Sequence, residues 1–356
     1  MVQAEDARVR LARPEVGAEE AAAVAAVLDS GQLTMGPKVG EFEAALADAC
    51  ETADAVAVSS GTAALHLAVL ALGVGPGDEV LVPAYTFPAT ANVVAFAGAT
   101  PVLVDVDPVT MNIDPERAHA AVTPRTKAIL PVHLFGRPAR LEELPELPLI
   151  EDAAGALGAR RAGRACGSIG VAGCLSFHPR KIVTTGEGGA VTTSDPQIAA
   201  SVRQLRHHGW ATPDDMPVPG LNYRIPDLLC AIGIPQVQRL EQLLAGRERV
   251  AAAYAERLRD LPVVLPEADP GDRHGLQAYV IQVEHRDRVK EQLLAQGIEV
   301  QIGTYSLPLL RAYEAQGAFP GARHAFERAL ALPFHSQLGD AELDRVAAAL
   351  TALVSK

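Results

Sequence analysis

Short apolar segments alternate with helical segments along the first two thirds of the chain, and this pattern narrows the possible folds more than any other feature. EVLVP at 79–83 and GAVTT at 189–193 show little polar alternation, and helical patterns such as AALHLAVLAL at 63–72 separate such segments. A strand without a polar face must be covered on both sides. The pattern therefore predicts an α/β fold with a mostly parallel sheet sandwiched by helices.

Seven strands are predicted for this sheet, and their order along the chain suggests where a site would lie. They are residues 55–58, 79–83, 101–107, 128–133, 147–153, 173–177 and 189–193. Sites in such sheets form beyond the carboxyl ends of the strands. Candidate functional residues are therefore sought directly after each strand.

The pattern changes after about residue 240, which indicates a second domain. A long helix is predicted at 240–261 and a closing helix at 341–356, with strands at 278–283 and 298–302 around a helix at 288–297. We predict a large domain over 1–240 and a small C-terminal α+β domain over 241–356. The N-terminal segment 1–30 is expected to pack with the small domain.

Composition excludes several classes of protein. The 43 acidic and 31 basic residues give a net charge of −12, which argues against nucleic-acid binding because that needs a basic face. No uninterrupted apolar segment approaches the ~20 residues of a membrane span, and the N-terminal residues lack the apolar part of a signal peptide. Four cysteines without metal-ligand spacing fit a reducing compartment. We expect a cytoplasmic protein with no membrane partner and no metal.

Two motifs directly follow predicted strands and could bind a phosphate and a planar ring. In VSSGTAAL (58–65), Gly61 and Thr62 open a helix, and free N–H groups at a helix start favour a phosphate. A simple Ser/Thr helix cap is the alternative. In PAYTFPAT (83–90), Phe87 could lie flat on a ring, or it could pack in the core.

Two further motifs supply a carboxylate and an amine. In LIEDAAGALGA (149–159), Asp152 could pair with a cation such as a protonated ring nitrogen, or it could cap a helix. Lys181 lies between Ser176 and the TTGEGG turn in apolar surroundings, where an amine has a lowered pKa and becomes a nucleophile. The alternative is an ordinary solvated lysine.

Together these motifs supply the four groups that a pyridoxal 5'-phosphate site requires. The groups are a phosphate cradle, a ring-stacking residue, an acid for a ring cation and an amine nucleophile. GVGPGD at 73–78 precedes a strand and lacks the GxGxxG spacing, so a dinucleotide site is rejected. Pyridoxal phosphate is therefore the expected cofactor.

The order of SGT, TF, EDAA, SFHxxK and GEGG resembles the DegT/StrS group of pyridoxal-phosphate-dependent sugar aminotransferases, which have the fold-type I architecture. The resemblance covers almost the whole chain, and it includes GQLTMGPKVGEFE at 31–43, TKAILPVHLFGRP at 126–138 and GLNYRIPDLLCAIGIPQVQRL at 220–240. Each segment is weak alone, but their combination in this order is highly specific.

The resemblance implies a role for each site residue. Lys181 would be the Schiff-base lysine, Asp152 would pair with the ring nitrogen and Phe87 would stack on the ring. The cofactor phosphate would be bound by Gly61, Thr62 and Ser176. Asn222 would complete the phosphate clamp of the neighbouring subunit in a homodimer, and Arg224 would lie near the same shared pocket. Substrate contacts would come from Arg224 and from Thr34, whose GQLTMGP loop would line the keto-sugar pocket.

The resemblance also implies the reaction, which is transfer of an amino group from an amino acid, with L-glutamate as donor, to a keto sugar on a nucleoside diphosphate. Two positions depart from the family pattern. Gly155 stands where the family commonly has Gln, and Leu309 stands where it often has His.

Other functions remain open at this point. A keto-cyclitol could replace the nucleotide sugar as acceptor. A sugar dehydratase of the same family would carry His in place of Lys181, so the lysine favours amino transfer. A non-catalytic binding or regulatory protein would have no need to keep all four groups, and a Rossmann dehydrogenase lacks its fingerprint.

Overall fold

The computed structural model describes residues 8–314 and 317–354. Its helices are α1 (Ala18–Ser30), α2 (Pro37–Cys50), α3 (Gly61–Ala71), α4 (Ala89–Phe96), α5 (Pro115–Ala121), α6 (Pro196–Arg206), α7 (Asp227–Gln238), α8 (Leu240–Leu258), α9 (Arg286–Ala295), α10 (Pro320–Arg328) and α11 (Asp340–Val354). Its strands are β1 (Asp54–Val58), β2 (Glu79–Pro83), β3 (Tyr85–Thr86), β4 (Thr100–Val104), β5 (Thr126–Ile129), β6 (Ile150–Asp152), β7 (Arg160–Arg161), β8 (Arg164–Ala165), β9 (Ala172–Ser176), β10 (Gly189–Thr193), β11 (Tyr279–Gln282), β12 (Gln301–Ile302), β13 (Tyr305–Ser306) and β14 (Ala329–Leu332).

The seven strands predicted for the large sheet are all present, and they lie in the order β4-β2-β5-β6-β9-β10-β1. Parallel pairing joins β4, β2 and β5, and also β6 and β9. Isolated parallel bridges at Ile129–Leu149 and Val132–Asp152 connect β5 to β6. In this order β10 alone runs antiparallel to its neighbours, β9 and β1. The predicted mostly parallel sheet is confirmed.

Side chains of this sheet alternate between two buried faces, as the apolar sequence of its strands requires. In β1, Val56 and Val58 face a core formed with α3, α4 and α6. Ala55 and Ala57 face the opposite core, formed with α2 and α7. Helices therefore cover both faces, and functional groups become accessible mainly where the strands end.

A second, antiparallel sheet in the order β11-β14-β12 has its own apolar core. Tyr254 of α8 and Leu343 of α11 pack in that core with Tyr279 of β11. The predicted strand at 298–302 is reduced to Gln301–Ile302, and the predicted helix at 240–261 ends at Leu258. The domain boundary at residue 240 stays a prediction.

The N-terminal segment contacts the second sheet region through its backbone. Val9 pairs with Ile298 in a parallel bridge, and Leu11 accepts a hydrogen bond from the N–H of Phe334 (2.9 Å). Helix α1 instead packs on α7, and Glu20 forms an ion pair with Arg239 (2.6 Å). Residues 1–7 and 355–356, which belong to the predicted N-terminal segment and closing helix, lie outside the described residues.

Within residues 8–314 and 317–354, no helix combines the length and the apolar character needed to cross a bilayer.

Candidate active site

A cavity of about 510 Å³ opens at the carboxyl ends of the strands of the large sheet. Six of the predicted site residues line it, namely Gly61, Thr62, Phe87, Asp152, Ser176 and Lys181. They follow or end four different strands, which is the position expected of functional groups in an open α/β sheet. The fold therefore brings together motifs that are far apart in the sequence.

The start of α3 forms the part of the cavity predicted to hold a phosphate. Ser60 caps the helix, because its Oγ accepts a hydrogen bond from the N–H of Ala63 (3.1 Å). This leaves the N–H groups of Gly61 and Thr62 in the first turn, where a helix has no partner for them. Close packing also requires Gly189 of the GEGG turn, since a Cβ there would lie 2.4 Å from the Ser60 carbonyl oxygen.

Asp152 ends β6 with a buried carboxylate that faces the cavity. Its Oδ2 accepts a hydrogen bond from Thr90 Oγ1 (2.9 Å), and its Oδ1 accepts one from the N–H of Ala154 (3.2 Å). Burial raises the pKa of the Asp152 carboxyl, while these two hydrogen bonds oppose that shift. Among the described residues Asp152 has hydrogen-bond donors but no ion-pair partner, so its buried carboxylate is suited to pair with a cationic ligand group.

Glu151, the neighbouring carboxylate, has a structural role instead. Its side chain is fully buried and accepts hydrogen bonds from His133 Nε2 (2.8 Å) and from the N–H groups of Gly167, Ile169 and Gly170 (2.8, 2.6 and 2.7 Å). Burial acts to raise the pKa of Glu151, but these hydrogen bonds outweigh it and the pKa is lowered. Because side chains alternate along β6, the two acids point to opposite sides.

Lys181 lies in the loop between the antiparallel neighbours β9 and β10. Its N–H donates to the carbonyl of His178 (2.8 Å), and its carbonyl accepts from Arg247 Nη2 (3.4 Å). Burial lowers the pKa of the Lys181 amine from 10.5 to about 8, although the charge of Asp152 acts in the opposite direction. An uncharged amine is therefore available near neutral pH, as a nucleophilic lysine requires.

Phe87 contributes an exposed aromatic ring to the cavity, and a segment from the C-terminal part of the chain supports it. The ring is 60% exposed and meets Tyr305 edge-on, with a centroid separation of 6.2 Å. Pairing of β3 with β13 places this segment, and the Tyr85 hydroxyl accepts a hydrogen bond from the N–H of Thr304 (3.1 Å). A flat ligand in the cavity would find an accessible stacking surface on Phe87.

Three predicted site residues do not line this cavity within the chain. Thr34 and Asn222 are exposed, and each forms an isolated bridge, to Pro226 and His207 respectively. Arg224 donates a hydrogen bond to Nδ1 of His207 (2.8 Å). The role of Asn222 at a partner's site and the substrate contacts of Thr34 and Arg224 stay predictions.

Comparison with known proteins identifies the family. The model of the DegT/DnrJ/EryC1/StrS aminotransferase family matches residues 14–351. The chain belongs to this family. The predicted resemblance is confirmed, and with it the enzyme class and pyridoxal phosphate as the cofactor of the family.

Several proteins of the DegT/DnrJ/EryC1/StrS type are similar over nearly their full length. GDP-perosamine synthase of Caulobacter vibrioides is 40% identical over 366 residues, covering 96% of this chain and 97% of that protein. The structure of DesI in the presence of its TDP-sugar product is 34% identical in sequence and superposes with a TM-score of 0.92. The match covers 99% of this chain and 94% of the DesI chain. The structure of Spr1654 of Streptococcus pneumoniae in its pyridoxal-phosphate (PLP) form is 29% identical in sequence, with a TM-score of 0.93. The match covers 98% of this chain and 99% of the Spr1654 chain.

The site fits the cofactor of the DegT/DnrJ/EryC1/StrS family on observations of this chain alone. At the start of α3, a Cβ on Gly61 would lie 2.7 Å from the Cβ of Ser176, so only glycine lets the helix start and the Ser176 hydroxyl stand side by side at the cavity. The buried carboxylate of Asp152 matches a ring cation, and the depressed pKa of Lys181 matches imine chemistry. The individual residue roles stay predictions.

Sequence analysis assigned no role to three residues that contact the predicted site. Thr90 holds the Asp152 carboxylate, and its place at the start of a helix just after Phe87 was a usable signal. Arg180 and Gln277 line the cavity beside Lys181. Gln277 comes from a distant segment, and no local pattern marks it. Of the two departures from the family pattern, Gly155 lines the cavity, whereas Leu309 is exposed outside it.

Proposed function

We propose that this protein transfers an amino group from L-glutamate to a keto sugar carried on a nucleoside diphosphate. The observation that carries the proposal is the presence of the Lys181 amine and the Asp152 carboxylate in one cavity, with the amine's pKa lowered to about 8. GDP-perosamine synthase and DesI, which are named for or solved with nucleotide sugars, support the acceptor class.

The chain's own residues have distinct tasks in this reaction. When bound, pyridoxal phosphate supplies an aldehyde for imine formation and a ring that accepts electrons. Asp152 holds a proton at the ring nitrogen, since its buried carboxylate stabilises a cation there. Lys181 Nζ takes and returns the proton at the α-carbon of the donor, as a general base with a pKa near neutrality. The start of α3 and Ser176 anchor the phosphate.

A homodimer with shared sites is the second part of the proposal. Two exposed segments carry apolar side chains that a partner subunit would cover, and their members are Leu33, Met35, Trp210, Met216 and Val218. Asn222 is exposed near these segments and does not line its own chain's cavity. Such a residue can serve the partner's site in an isologous dimer, where each contact occurs twice.

The cytoplasm is the proposed location. Cys50, Cys166, Cys174 and Cys230 are all buried and unpaired. Burial raises the pKa of the Cys50 thiol to about 12, which keeps that thiol uncharged and unreactive. Unpaired thiols are typical of a reducing compartment.

The test of the proposed reaction uses purified protein reconstituted with pyridoxal phosphate. We expect a visible absorbance band, covalent attachment to Lys181 after borohydride reduction, and formation of 2-oxoglutarate and an amino sugar from L-glutamate and a nucleotide-linked keto sugar. A panel of GDP- and TDP-linked keto sugars and keto-cyclitols identifies the acceptor. The proposal fails if no cofactor binds, or if no member of the panel is aminated.

Two variants complete this test. Lys181→Ala is expected to abolish borohydride attachment and turnover, whereas Lys290→Ala, on the far helix α9, is the matched control and retains both.

For the shared site, Lys181→Ala and Asn222→Ala subunits are each inactive or weak alone. Mixing them should recover activity in heterodimers, and an unchanged activity after subunit exchange contradicts the shared site.

A further inference from the structure

Gln277 is a polar residue in the wall of the active-site cavity to which the proposed function gives no role. Its backbone is fixed from two sides: its N–H donates to the carbonyl of Phe135 (3.1 Å), and its carbonyl accepts from Nη1 of the buried Arg247 (3.0 Å). Its side-chain Nε2 donates to the carbonyl of Arg180 (3.3 Å). The side chain is therefore directed toward the loop that carries Lys181.

Gly155 leaves the space that this side chain uses. A Cβ at position 155 would lie 3.4 Å from Cβ, Cγ and Oε1 of Gln277. The backbone of Gly155 is not in the left-handed region, so its conformation does not require glycine. A side chain at 155 would therefore be in van der Waals contact with Gln277 from its Cβ onward, so the two positions share one part of the cavity wall.

The amide of Gln277 retains hydrogen-bonding capacity. Within residues 8–314 and 317–354, Oε1 and the second hydrogen of Nε2 have no partner. The side chain lines an open cavity and is only half-buried, so a ligand can reach it. A residue that is fixed at its backbone, and whose side-chain amide keeps an unused acceptor and donor hydrogen, is suited to bind a polar ligand atom.

The neighbours of Gln277 indicate which ligand atom it meets. Gly155 belongs to the segment that follows Asp152, and Arg180 directly precedes Lys181. In pyridoxal phosphate, the ring nitrogen and the aldehyde carbon lie at opposite ends of the ring. Along one edge between them is the ring hydroxyl, and the opposite edge carries the phosphate arm. Gln277 contacts Gly155 and Arg180 and, among the described residues, hydrogen-bonds to none of the phosphate cradle, which favours the hydroxyl edge as the part of the ring it meets.

We propose that Gln277 binds the ring hydroxyl of pyridoxal phosphate through its side-chain amide and thereby fills the place that Gly155 leaves without a side chain. This inference rests on the proposed function, since it needs the same cofactor in the same cavity. A hydrogen bond to the ring oxygen stabilises its charged form, so it affects both the affinity for the cofactor and the protonation of the bound cofactor.

Gln277→Ala tests the proposal with two measurements that do not depend on turnover. One is the dissociation constant of pyridoxal phosphate, and the other is the pH titration of its visible absorbance when bound. We expect roughly three- to tenfold weaker binding, the loss that one hydrogen bond produces, and an upward shift of the titration midpoint. Gln301→Ala is the matched control, because Gln301 also contacts Arg180 but does not line the cavity.

A reciprocal variant separates ligand contact from a structural role. Gly155→Gln alone should weaken cofactor binding, because the new side chain competes with Gln277 for space. Gly155→Gln combined with Gln277→Ala should restore the affinity and the titration midpoint, since the amide now comes from the other segment. A merely structural tie to Arg180 would not be rescued in this way.

The possible failures are distinguishable. If the wild-type protein takes up no pyridoxal phosphate, the proposed function fails together with this inference. If the wild type binds the cofactor and Gln277→Ala matches it in affinity and titration, only this inference is overturned. Equal effects of Gln277→Ala and Gln301→Ala, without rescue by Gly155→Gln, likewise overturn it in favour of a positioning role through Arg180.

Discussion

Gly61 lies so close to Ser176 that a Cβ on residue 61 would be 2.7 Å from the serine Cβ and 3.1 Å from its Oγ. The contact joins the start of α3 to the end of β9 at the predicted phosphate cradle. Gly61→Ala should force these two segments apart, at a cost of about 1–3 kcal/mol in the free energy of unfolding, and weaken cofactor binding at least tenfold. Equilibrium unfolding and cofactor titration measure the two effects.

The same substitution at Gly40 is the control for this prediction. Gly40 lies inside α2, and a Cβ there would meet no atom within 4 Å. Gly40→Ala should therefore stabilise the protein by about 0.5–1 kcal/mol, because alanine favours a helix interior over glycine, and leave cofactor binding unchanged. Equal cofactor loss in both variants would show that the Gly61–Ser176 contact is not specific to the cradle.

Neutralising Asp152 should lower catalytic activity, whereas neutralising Glu151 should lower the free energy of unfolding. Asp152→Asn removes the charge facing the cavity and should lower turnover by roughly 10²–10³-fold, which corresponds to about 2.7–4.1 kcal/mol of lost transition-state stabilisation. Glu151→Gln should instead lower the free energy of unfolding by about 2–4 kcal/mol, since its partners are buried. Steady-state kinetics and denaturant unfolding distinguish the two outcomes, and a purely kinetic effect of Glu151→Gln would contradict the assignment.

The rate at which cofactor-free protein attaches pyridoxal phosphate should rise with pH and level off above about pH 8, the pKa of Lys181. At pH 7 roughly one amine in ten is uncharged, against about one in 3,000 for an ordinary lysine. Stopped-flow absorbance measures the rate. Since the charge of Asp152 raises this pKa, Asp152→Asn should move the profile to lower pH, and a profile centred near 10.5 would exclude the buried amine.

The lowered pKa of Lys181 also makes the free energy of unfolding depend on pH. The folded-state pKa of about 8 lies below the ordinary value of 10.5, so the unfolded chain binds more protons between these pH values. Stability should therefore increase with pH across this interval and decrease as the pH falls toward 8. Lys181→Met should lack this component, which unfolding of the cofactor-free wild type and variant at pH 8 and pH 10 would reveal.

Asp227 should control acceptor binding through the loop that contains Thr34. This fully buried carboxylate accepts hydrogen bonds from the N–H groups of Gly36 (2.8 Å) and Lys38 (2.9 Å). Asp227→Ala frees the loop and should raise the KM for the keto sugar more than it lowers kcat. Asp195→Ala removes a similar pair of backbone contacts at the start of α6, and it should reduce stability by about 1 kcal/mol without changing KM.

The sheet and most of the cavity could be predicted because both depend on local sequence. The strands of the large sheet show little polar alternation, as expected of strands covered on both faces, and the site motifs follow strand ends. The local sequence also indicates the antiparallel direction of β10. Residues 177–188, which connect β9 to β10, contain no helix for a parallel crossover.

Other features depend on contacts between distant segments and left no local signal. Side-chain alternation places Glu151 and Asp152 on opposite sides of β6, but it does not say which side opens into a cavity. Gln277 reaches Gly155 only because the segment before β11 packs against the large sheet. The shortening of the predicted strand at 298–302 likewise depends on its pairing with β14.

The pairing of Tyr85–Thr86 with Tyr305–Ser306 has a consequence for biosynthesis. A nascent chain that has not yet emerged beyond Ile302 already contains the reactive lysine and its acidic neighbour, but it lacks Gly303 and Thr304, which close one wall of the cavity. We therefore expect capture of the vitamin B6 aldehyde only after the segment that pairs with Tyr85–Thr86 has been synthesised and has packed in place.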